Sequence, residues 1–232
     1  MNEAIRKRKS VRKYASEPLD SATLEWVQEQ IAAVMPLYPN IRYKIEIVNK
    51  TKGLFNVKAP HYLIFSSHEG EGYLENIGFI GQQLNLSFSE RGIGSCWLGT
   101  SKPLENSEPS IPFVIAMAFG TAAEPVHCDV SEFKRKPLSA VSEGEDSRLE
   151  AARLAPSAVN SQNWYFVAEK GNIHCYRRKA NPLLGFMLTT ANQIDMGITL
   201  YHIASESDTF KFAKLKSVSA HKGCFYMGTV SD

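Results

Sequence analysis

The stretch Arg153-Leu-Ala-Pro-Ser-Ala-Val-Asn-Ser-Gln-Asn-Trp164 is the most informative part of the chain. Its pattern predicts a helix that ends before Pro156, then a loop of small polar residues, then a strand that begins at Trp164. Side chains such as Ser157 and Asn160, together with free backbone amides, can bind a ligand that is rich in hydrogen-bonding edges. An ordinary connection between a helix and a strand would have a similar composition, so the stretch needs support from elsewhere in the chain.

The N-terminal segment Arg6-Lys-Arg-Lys-Ser-Val-Arg-Lys13 places six basic residues around Ser10. Arg8, Ser10 and Arg12 alternate, so an extended backbone would direct them to one side. Guanidinium and hydroxyl groups together suit a phosphate, because the planar fork of donors matches the phosphate oxygens. A solvated basic arm, a nuclear-localisation patch or a nucleic-acid patch would also explain the basic run.

A glycine-rich turn, Glu90-Arg-Gly-Ile-Gly-Ser-Cys-Trp-Leu-Gly99, follows an apolar run with helical spacing. Gly92 should end that helix, and Gly94 and Gly99 would let the backbone approach a flat group closely. A simple turn with a buried tryptophan is the alternative. A fourth segment, Phe133-Lys-Arg-Lys-Pro-Leu138, is by itself typical of a solvated linker.

Together these four segments resemble those of the nitroreductase family of FMN enzymes. The loop after Pro156 is similar to the family pattern Pro-Ser-x-x-Asn-x-Gln-Pro-Trp, except that Asn163 replaces its second proline. The basic segment is similar to the Arg-Arg-Ser-x-Arg segment that the family uses on the FMN phosphate. The glycine turn is similar to the Gly-Leu-Gly-Ser-Cys-Trp-x-Gly turn beside the reactive edge of the flavin ring. The fourth segment is similar to the family's Arg-Lys-Pro-Leu, which returns a second cation to the phosphate. On this resemblance, the FMN-binding residues would be Arg8, Lys9, Ser10, Arg12, Trp97, Leu98, Gly99, Arg135, Lys136, Pro156, Ser157, Ala158, Asn160 and Gln162.

The resemblance implies an FMN-dependent oxidoreductase of the nitroreductase type. Its partners would be NADH or NADPH, which gives hydride to the flavin, and a small organic acceptor such as a nitro or quinone-like compound. No catalytic side chain is expected, because the flavin carries the chemistry and the protein orients and tunes it. A flavin-binding sensor or carrier without turnover is the second hypothesis. A basic nucleic-acid-binding protein is the third, and bound flavin would separate it from the first two.

The composition sets limits on these hypotheses. With 232 residues and 44% hydrophobic content, the chain can bury a substantial core, and its net charge of +2 gives no general attraction to nucleic acid. The cysteines and histidines show no metal-ligand spacing, so we expect no metal site and reduced thiols. A cytoplasmic protein without a membrane segment is the expectation, since neither a signal peptide nor a spanning run is present.

A weak internal repeat is visible in the sequence. Residues 76–84 align with residues 195–203, and strand-like segments flank both copies in the same order. We therefore expect a single α+β unit, with a mostly antiparallel sheet covered by helices, made of two degenerate half-repeats at 1–130 and 148–232. The polar segment 131–147 should be an exposed connection. The individual elements predicted are helices at 21–34, 74–90, 147–154 and 190–205, and strands at 42–48, 61–67, 112–119, 164–169, 172–177 and 223–230.

The resemblance gives the repeat a meaning. Nitroreductases are homodimers in which each flavin site takes the Ser/Asn loop from one subunit and the phosphate-binding segments from the other. Here the first half and the connection contain the basic segment, the glycine turn, Arg135 and Lys136, whereas the loop after Pro156 lies in the second half. In the first half, Pro36-Leu-Tyr-Pro-Asn40 occupies the place of that loop. This is the pattern of the fused, Thermotoga-type nitroreductases, a pseudo-dimer in one chain with one complete flavin site. Whether the chain is a monomer or a homodimer is left open.

Overall fold

The computed structural model describes residues 2–54, 57–105, 108–179 and 185–232, with only the backbone described at 185–187. The helices are α1 (Glu3–Lys7), α2 (Ser21–Ala33), α3 (Tyr73–Glu90), α4 (Leu138–Val141), α5 (Leu149–Arg153) and α6 (Gly185–Ala204), with 3-10 turns at Val130–Phe133 and Ala158–Asn160. The strands are β1 (Tyr43–Val48), β2 (Thr51–Gly53), β3 (His61–Ser67), β4 (Gly94–Leu98), β5 (Ser101–Pro103), β6 (Phe113–Gly120), β7 (Ser142–Glu143), β8 (Trp164–Glu169), β9 (Asn172–Arg178), β10 (Lys211–Ala213) and β11 (Cys224–Ser231).

The strands form two main sheets rather than the one predicted from the sequence. The first has the order β1-β3-β6-β4 and is antiparallel throughout. The second has the order β10-β11-β9-β8-β7 and is antiparallel except for the β7–β8 pair. Strands β2 and β5 form a separate ladder. The α+β class and the mostly antiparallel pairing are confirmed. The division into two sheets was missed because the pattern within a strand does not reveal its partner.

Helices α3 and α6 pack against each other between the sheets. A Cβ atom added to Gly78 would lie 2.0 Å from the carbonyl oxygen of Ile194, and one added to Gly197 would lie 1.9 Å from that of Glu75. Both glycines are therefore needed for the helices to approach so closely. Aromatic residues of the two sheets, such as Phe65 and Phe166, belong to one continuous buried cluster around this pair.

Most helix ends lie where the sequence predicts them. Asp20 caps α2, because its carboxylate accepts a hydrogen bond from the amide of Thr23 at 2.7 Å. Gly92 follows α3 with a φ of 75°, the left-handed conformation typical of a residue that terminates a helix. Helix α6 starts at Gly185, five residues before the predicted start at 190. The adjacent threonines at 189 and 190 have low helix propensity, so the local sequence signal for a helix is weak before residue 190.

The segment 131–147 is not simply the exposed connection that was expected. The side chains of Phe133 and Val141 are buried, at 8% and 0% exposure. Strand β7 adds an edge to the second sheet by pairing in parallel with β8. The polar composition of the segment hid these two anchors. No helix within the described ranges is long and apolar enough to cross a membrane.

Candidate functional site

Two adjoining cavities lie where the N-terminal segment, the glycine turn and the loop after Pro156 meet. The first, which we call the cation cavity, has a volume of about 350 Å³ and is lined by Arg8, Lys9, Ser10, Arg12, Cys128, Glu132, Phe133, Arg135, Pro156, Ser157, Val159 and Asn160. The second, which we call the apolar cavity, has a volume of about 390 Å³ and is lined by Ser10, Arg12, Cys96, Trp97, Gly99, Thr100, Ile115, Pro156, Ser157, Ala158, Val159, Leu188, Ala191, Ile194, Asp195 and Ile198. The two cavities adjoin, since five residues line both of them, namely Ser10, Arg12, Pro156, Ser157 and Val159.

Arginine side chains give the cation cavity its charge. Arg8 is only 5% exposed, and its Nη2 donates to Ser10 Oγ at 3.0 Å. Its Nε has no hydrogen-bond partner among the described residues. Burial lowers the pKa of Arg8 to about 10. Burial, and then repulsion from Arg8 and Arg153, also lowers the pKa of Arg135 to about 10.

These cations are not neutralised by nearby carboxylates. In the described part of the chain, neither Arg8 nor Arg135 forms an ion pair. Glu132 also lines the cavity, but its carboxylate forms no ion pair with Arg8 or Arg135 among the described residues; its Oε1 accepts from the backbone amide of Asp129 at 2.9 Å and caps a 3-10 turn. Lys9 is the exception, with its Nζ 4.0 Å from an Oε2 of Glu124. Buried positive charge without a counter-charge is costly, so the cavity favours an anion.

The loop after Pro156 is held in an uncommon backbone conformation. Val159, Asn160 and Gln162 have φ angles of 47°, 55° and 48°. The left-handed region is costly for a non-glycine residue, above all for a β-branched one such as Val159, and such strain persists only where the surroundings impose it. Here Arg135 Nη1 donates to Asn160 Oδ1 at 2.7 Å, and the amide of Gln162 donates to Ser157 Oγ at 3.0 Å. The loop is thus preformed.

Three of the residues predicted to bind FMN do not line either cavity. Lys136 donates from Nζ to the carbonyl of Ser161 at 2.7 Å, and its amide donates to Gln162 Oε1 at 2.7 Å. The side chains of Lys136 and Gln162 therefore hold the loop to the segment before α4 and do not reach the cavities. Leu98 is buried against a minor core that includes Tyr62. The other predicted residues are brought together at the cavities, namely Arg8, Lys9, Ser10, Arg12, Trp97, Gly99, Arg135, Pro156, Ser157, Ala158 and Asn160.

A buried hydrogen-bond chain, which sequence reasoning missed, fixes the indole of Trp97 in the wall of the apolar cavity. Trp97 Nε1 donates to Gln82 Oε1 at 3.3 Å, and Gln82 Nε2 donates to His202 Nε2 at 2.9 Å. His202 Nδ1 then donates to the carbonyl of Ala151 at 2.8 Å. Burial lowers the pKa of His202 to about 3, so the imidazole is neutral and its proton is on Nδ1. The chain links two helices that are 120 residues apart in sequence, which no local pattern reveals.

Asp195 is the second group that the sequence did not single out. Its carboxyl lines the apolar cavity, is 4% exposed, and accepts from the amide of Ala158 at 3.1 Å on both oxygens. The internal repeat contains a signal for it, since Asp195 aligns with Asn76. Asn76 Oδ1 accepts from the amide of Tyr38 at 2.9 Å, the matching bond in the first half. The described residues contain no cluster of His, Cys, Asp or Glu able to hold a metal ion.

The cavities have a cationic end and a mostly apolar end, which would suit a ligand with an anionic group and a flat, apolar part. The family described as "Putative TM nitroreductase" matches residues 1–207, so the chain belongs to this family. Membership supports an oxidoreductase function at the level of the family.

The fold is similar to that of a solved structure over nearly the whole chain. A "putative nitroreductase" from Thermotoga maritima MSB8 has 20% identity and a TM-score of 0.66, over 99% of this chain and 92% of that chain. A nitroreductase family protein from Clostridium difficile 630 has 16% identity and a TM-score of 0.49, over 60% and 96%. An FMN-dependent nitroreductase from Clostridium difficile R20291 has 16% identity and a TM-score of 0.47, over 58% and 95%. A search of curated protein sequences gave no match.

Proposed function

We propose that the chain is an FMN-dependent oxidoreductase of the nitroreductase type, with NADH or NADPH as hydride donor and a small organic molecule, such as a nitro or quinone-like compound, as acceptor. The cation cavity is the observation that carries the proposal. Its buried Arg8 has an unsatisfied Nε and no carboxylate partner in the described part of the chain. A bound phosphate would supply both the missing charge and the missing acceptor.

The residues present fit both ends of FMN. Ser10 Oγ accepts from Arg8 and lines the cation cavity, and its hydroxyl, which is hydrogen-bonded to Cys96, can instead donate to a phosphate oxygen. Arg135 is oriented by its bond to Asn160 and lies in the same wall. The adjoining cavity has aliphatic walls from Ile115 and Ile198, which suit a flat aromatic ring system.

The chain's own residues would bind, orient and tune the cofactor. Bound FMN supplies the hydride chemistry. Gly99 offers its backbone to the apolar cavity, because a Cβ at that position would meet nothing within 4 Å. Arg12 lines both cavities, so its charge is placed to favour a reduced, anionic ring system. The hydrogen bonds from Trp97 through Gln82 to His202 keep the Trp97 indole fixed in the wall of the apolar cavity.

We also propose that the two halves, 1–130 and 148–232, form a pseudo-dimer joined by 131–147. The reciprocal contacts of Gly78 and Gly197 support this, since each glycine meets the carbonyl oxygen of the residue three positions before the other. The matching loop bonds of Asn76 and Asp195 support it as well. Gly120 of β6 and Gly228 of β11 are each followed by threonine, and their φ angles of 156° and 158° are nearly equal.

Only one of the two loops would hold a flavin. In the first half, the ring of Tyr38 lies edge-on to Phe212, with ring centroids 6.4 Å apart. A Cβ at Gly72 would lie 2.4 Å from the same tyrosine ring. An aromatic side chain thus fills the space beside the Pro36 loop, whereas the Pro156 loop borders two cavities. This contrast supports one FMN per chain, in a monomer or in each subunit of a homodimer.

The test is an absorbance spectrum of the purified protein, followed by anaerobic titration with NADH and with NADPH. We expect flavin absorption bands that bleach with at least one nicotinamide and return with a nitro or quinone acceptor. Flavin that binds but is not reduced by either would favour the sensor or carrier alternative. Failure to bind added FMN would overturn the proposal.

A further inference from the structure

Asp195 lies in the wall of the apolar cavity, and both oxygens of its carboxyl accept from one backbone amide. The side chain is 4% exposed and lines that cavity, and its partner among the described residues is the amide of Ala158. An amide N–H can only donate. A carboxyl in its acid form also has a hydroxyl proton, which the amide of Ala158 cannot accept. Because Asp195 lines the apolar cavity, a molecule in that cavity can supply the acceptor.

The internal repeat indicates that holding the loop does not require an acid. Asn76 holds the Pro36 loop through the amide of Tyr38 at 2.9 Å, as Asp195 holds the Pro156 loop through Ala158 at 3.1 Å. A neutral amide oxygen therefore suffices for the loop. The carboxyl occurs only at the position of this pair that lines a cavity. This indicates that the carboxyl has a role there besides holding the loop.

Few charged groups lie near Asp195. Across the cavity are Arg12 and the thiol of Cys96, whose pKa is raised by burial. On the elements packed against α6, Glu75 of α3 is bonded to Gln193 and has a pKa raised by burial, and Arg177 lies on β9 near Glu75. Burial raises the pKa of Asp195 to about 8, against the smaller, opposite effect of the Ala158 hydrogen bond. The acid form therefore prevails at neutral pH.

We propose that Asp195 in its acid form donates a hydrogen bond to a carbonyl oxygen or ring nitrogen of the ligand in the apolar cavity, and that ionisation of Asp195 weakens binding of that ligand. The inference rests on the proposed function, because it takes the flavin ring as the ligand. In the ionised state, carboxylate oxygens would face the lone pairs of ring acceptors with no proton between them. Like partial charges in a dry site repel, and the hydrogen bond is lost as well.

The experiment measures the Kd of riboflavin and of FMN by flavin fluorescence between about pH 6.5 and about pH 9, a range that spans the titration of Asp195. Riboflavin has no phosphate, so its binding does not report on Arg8 or Arg135. In the natural protein both Kd values should rise roughly tenfold over the alkaline part of the range. In Asp195→Asn, which can still accept from Ala158, they should stay nearly constant.

The outcomes separate the inference from the proposed function. A flat profile in the natural protein, or equal slopes in the two proteins, would overturn the role of Asp195 while FMN binding stands. Failure of both proteins to bind FMN at any pH would overturn the proposed function itself. The profile of the natural protein tests the inference even where the variant folds poorly.

Discussion

Gly78 and Gly197 face each other across the crossing of α3 and α6, each against the backbone of the opposite helix. The two contacts are nearly equal, with 2.0 Å and 1.9 Å from an added Cβ to the opposing carbonyl oxygen. The crossing joins α3 to α6, and α6 places Asp195 and the other cavity-lining residues of that helix beside the loop after Pro156.

We expect Gly78→Ala and Gly197→Ala to destabilise the protein by similar amounts. The obstacle is backbone rather than a flexible side chain, so the helices must separate, and overpacking of this kind costs about 1–3 kcal/mol. Chemical denaturation measures the free energy of unfolding. Gly70→Ala is the matched control, because an added Cβ there meets nothing within 4 Å. Unequal effects, with one variant as stable as the control, would contradict the reciprocal packing.

Arg8→Ala should weaken FMN much more than Lys7→Ala. Arg8 is buried in the cation cavity, whereas Lys7 is half exposed and paired with Glu3. Loss of a charge-assisted hydrogen bond costs about 1.5–3 kcal/mol, roughly a ten- to hundred-fold loss of affinity. Titration with FMN measures the difference, with circular dichroism as the check on folding. Small, equal effects would make the segment an ordinary solvated arm.

Asn160→Leu should lose flavin while the fold stays intact. The structure gives the physical reason, because Asn160 Oδ1 accepts from Arg135 and its Nδ2 donates to the carbonyl of Lys134 at 3.0 Å. Leucine would remove both side-chain bonds that hold the strained loop at this residue, whereas Arg135 would keep its bonds to the carbonyls of Phe133 and Leu154. Ser161→Ala is the control on the same loop, since its hydroxyl is directed to Asn192 and not to a cavity. Flavin content beside circular dichroism tests this, and full FMN occupancy in Asn160→Leu would show that the loop is not a wall of the flavin site.

Asp195→Asn should stabilise the flavin-free protein near pH 7. The pKa of Asp195 is raised to about 8 by burial, so between about pH 4 and pH 8 the folded chain holds a proton that the unfolded chain releases. Stability of the natural protein is therefore lost as pH rises through this window. The gain in Asp195→Asn should be on the order of a few kcal/mol at pH 7 and should shrink toward pH 4. Denaturation curves at several pH values measure it, and a gain that is independent of pH would show that Asp195 does not titrate there.

Local sequence patterns predicted much of this molecule and long-range contacts explain most of the rest. The sequence located α3 and β3, and the helix predicted from residue 21 begins at Ser21 as α2, because the signals for these elements are local. The resemblance predicted that Arg8 and Arg135 lie at one site, and both line the cation cavity. Residue type alone did not reveal that Lys136 and Gln162 turn away from it to brace the loop.

Other features depended on partners far along the chain. The bond between Gln82 and His202 and the pairing of β7 with β8 join segments that carry no matching local signal. Asp195 was overlooked because one acid in an apolar helix is usually solvated. Its alignment with Asn76, read together with the two loops, could have indicated its place.

The most direct test of the central claim is the ratio of released FMN to protein after saturation of the purified chain with FMN. One set of the proposed FMN-binding residues lines cavities in each chain, and Tyr38 in the Pro36 loop packs against Phe212 instead. We therefore expect a ratio near one, whatever the oligomeric state. A ratio near two would contradict the single site, and a ratio near zero would contradict a flavin site between Arg8 and Trp97.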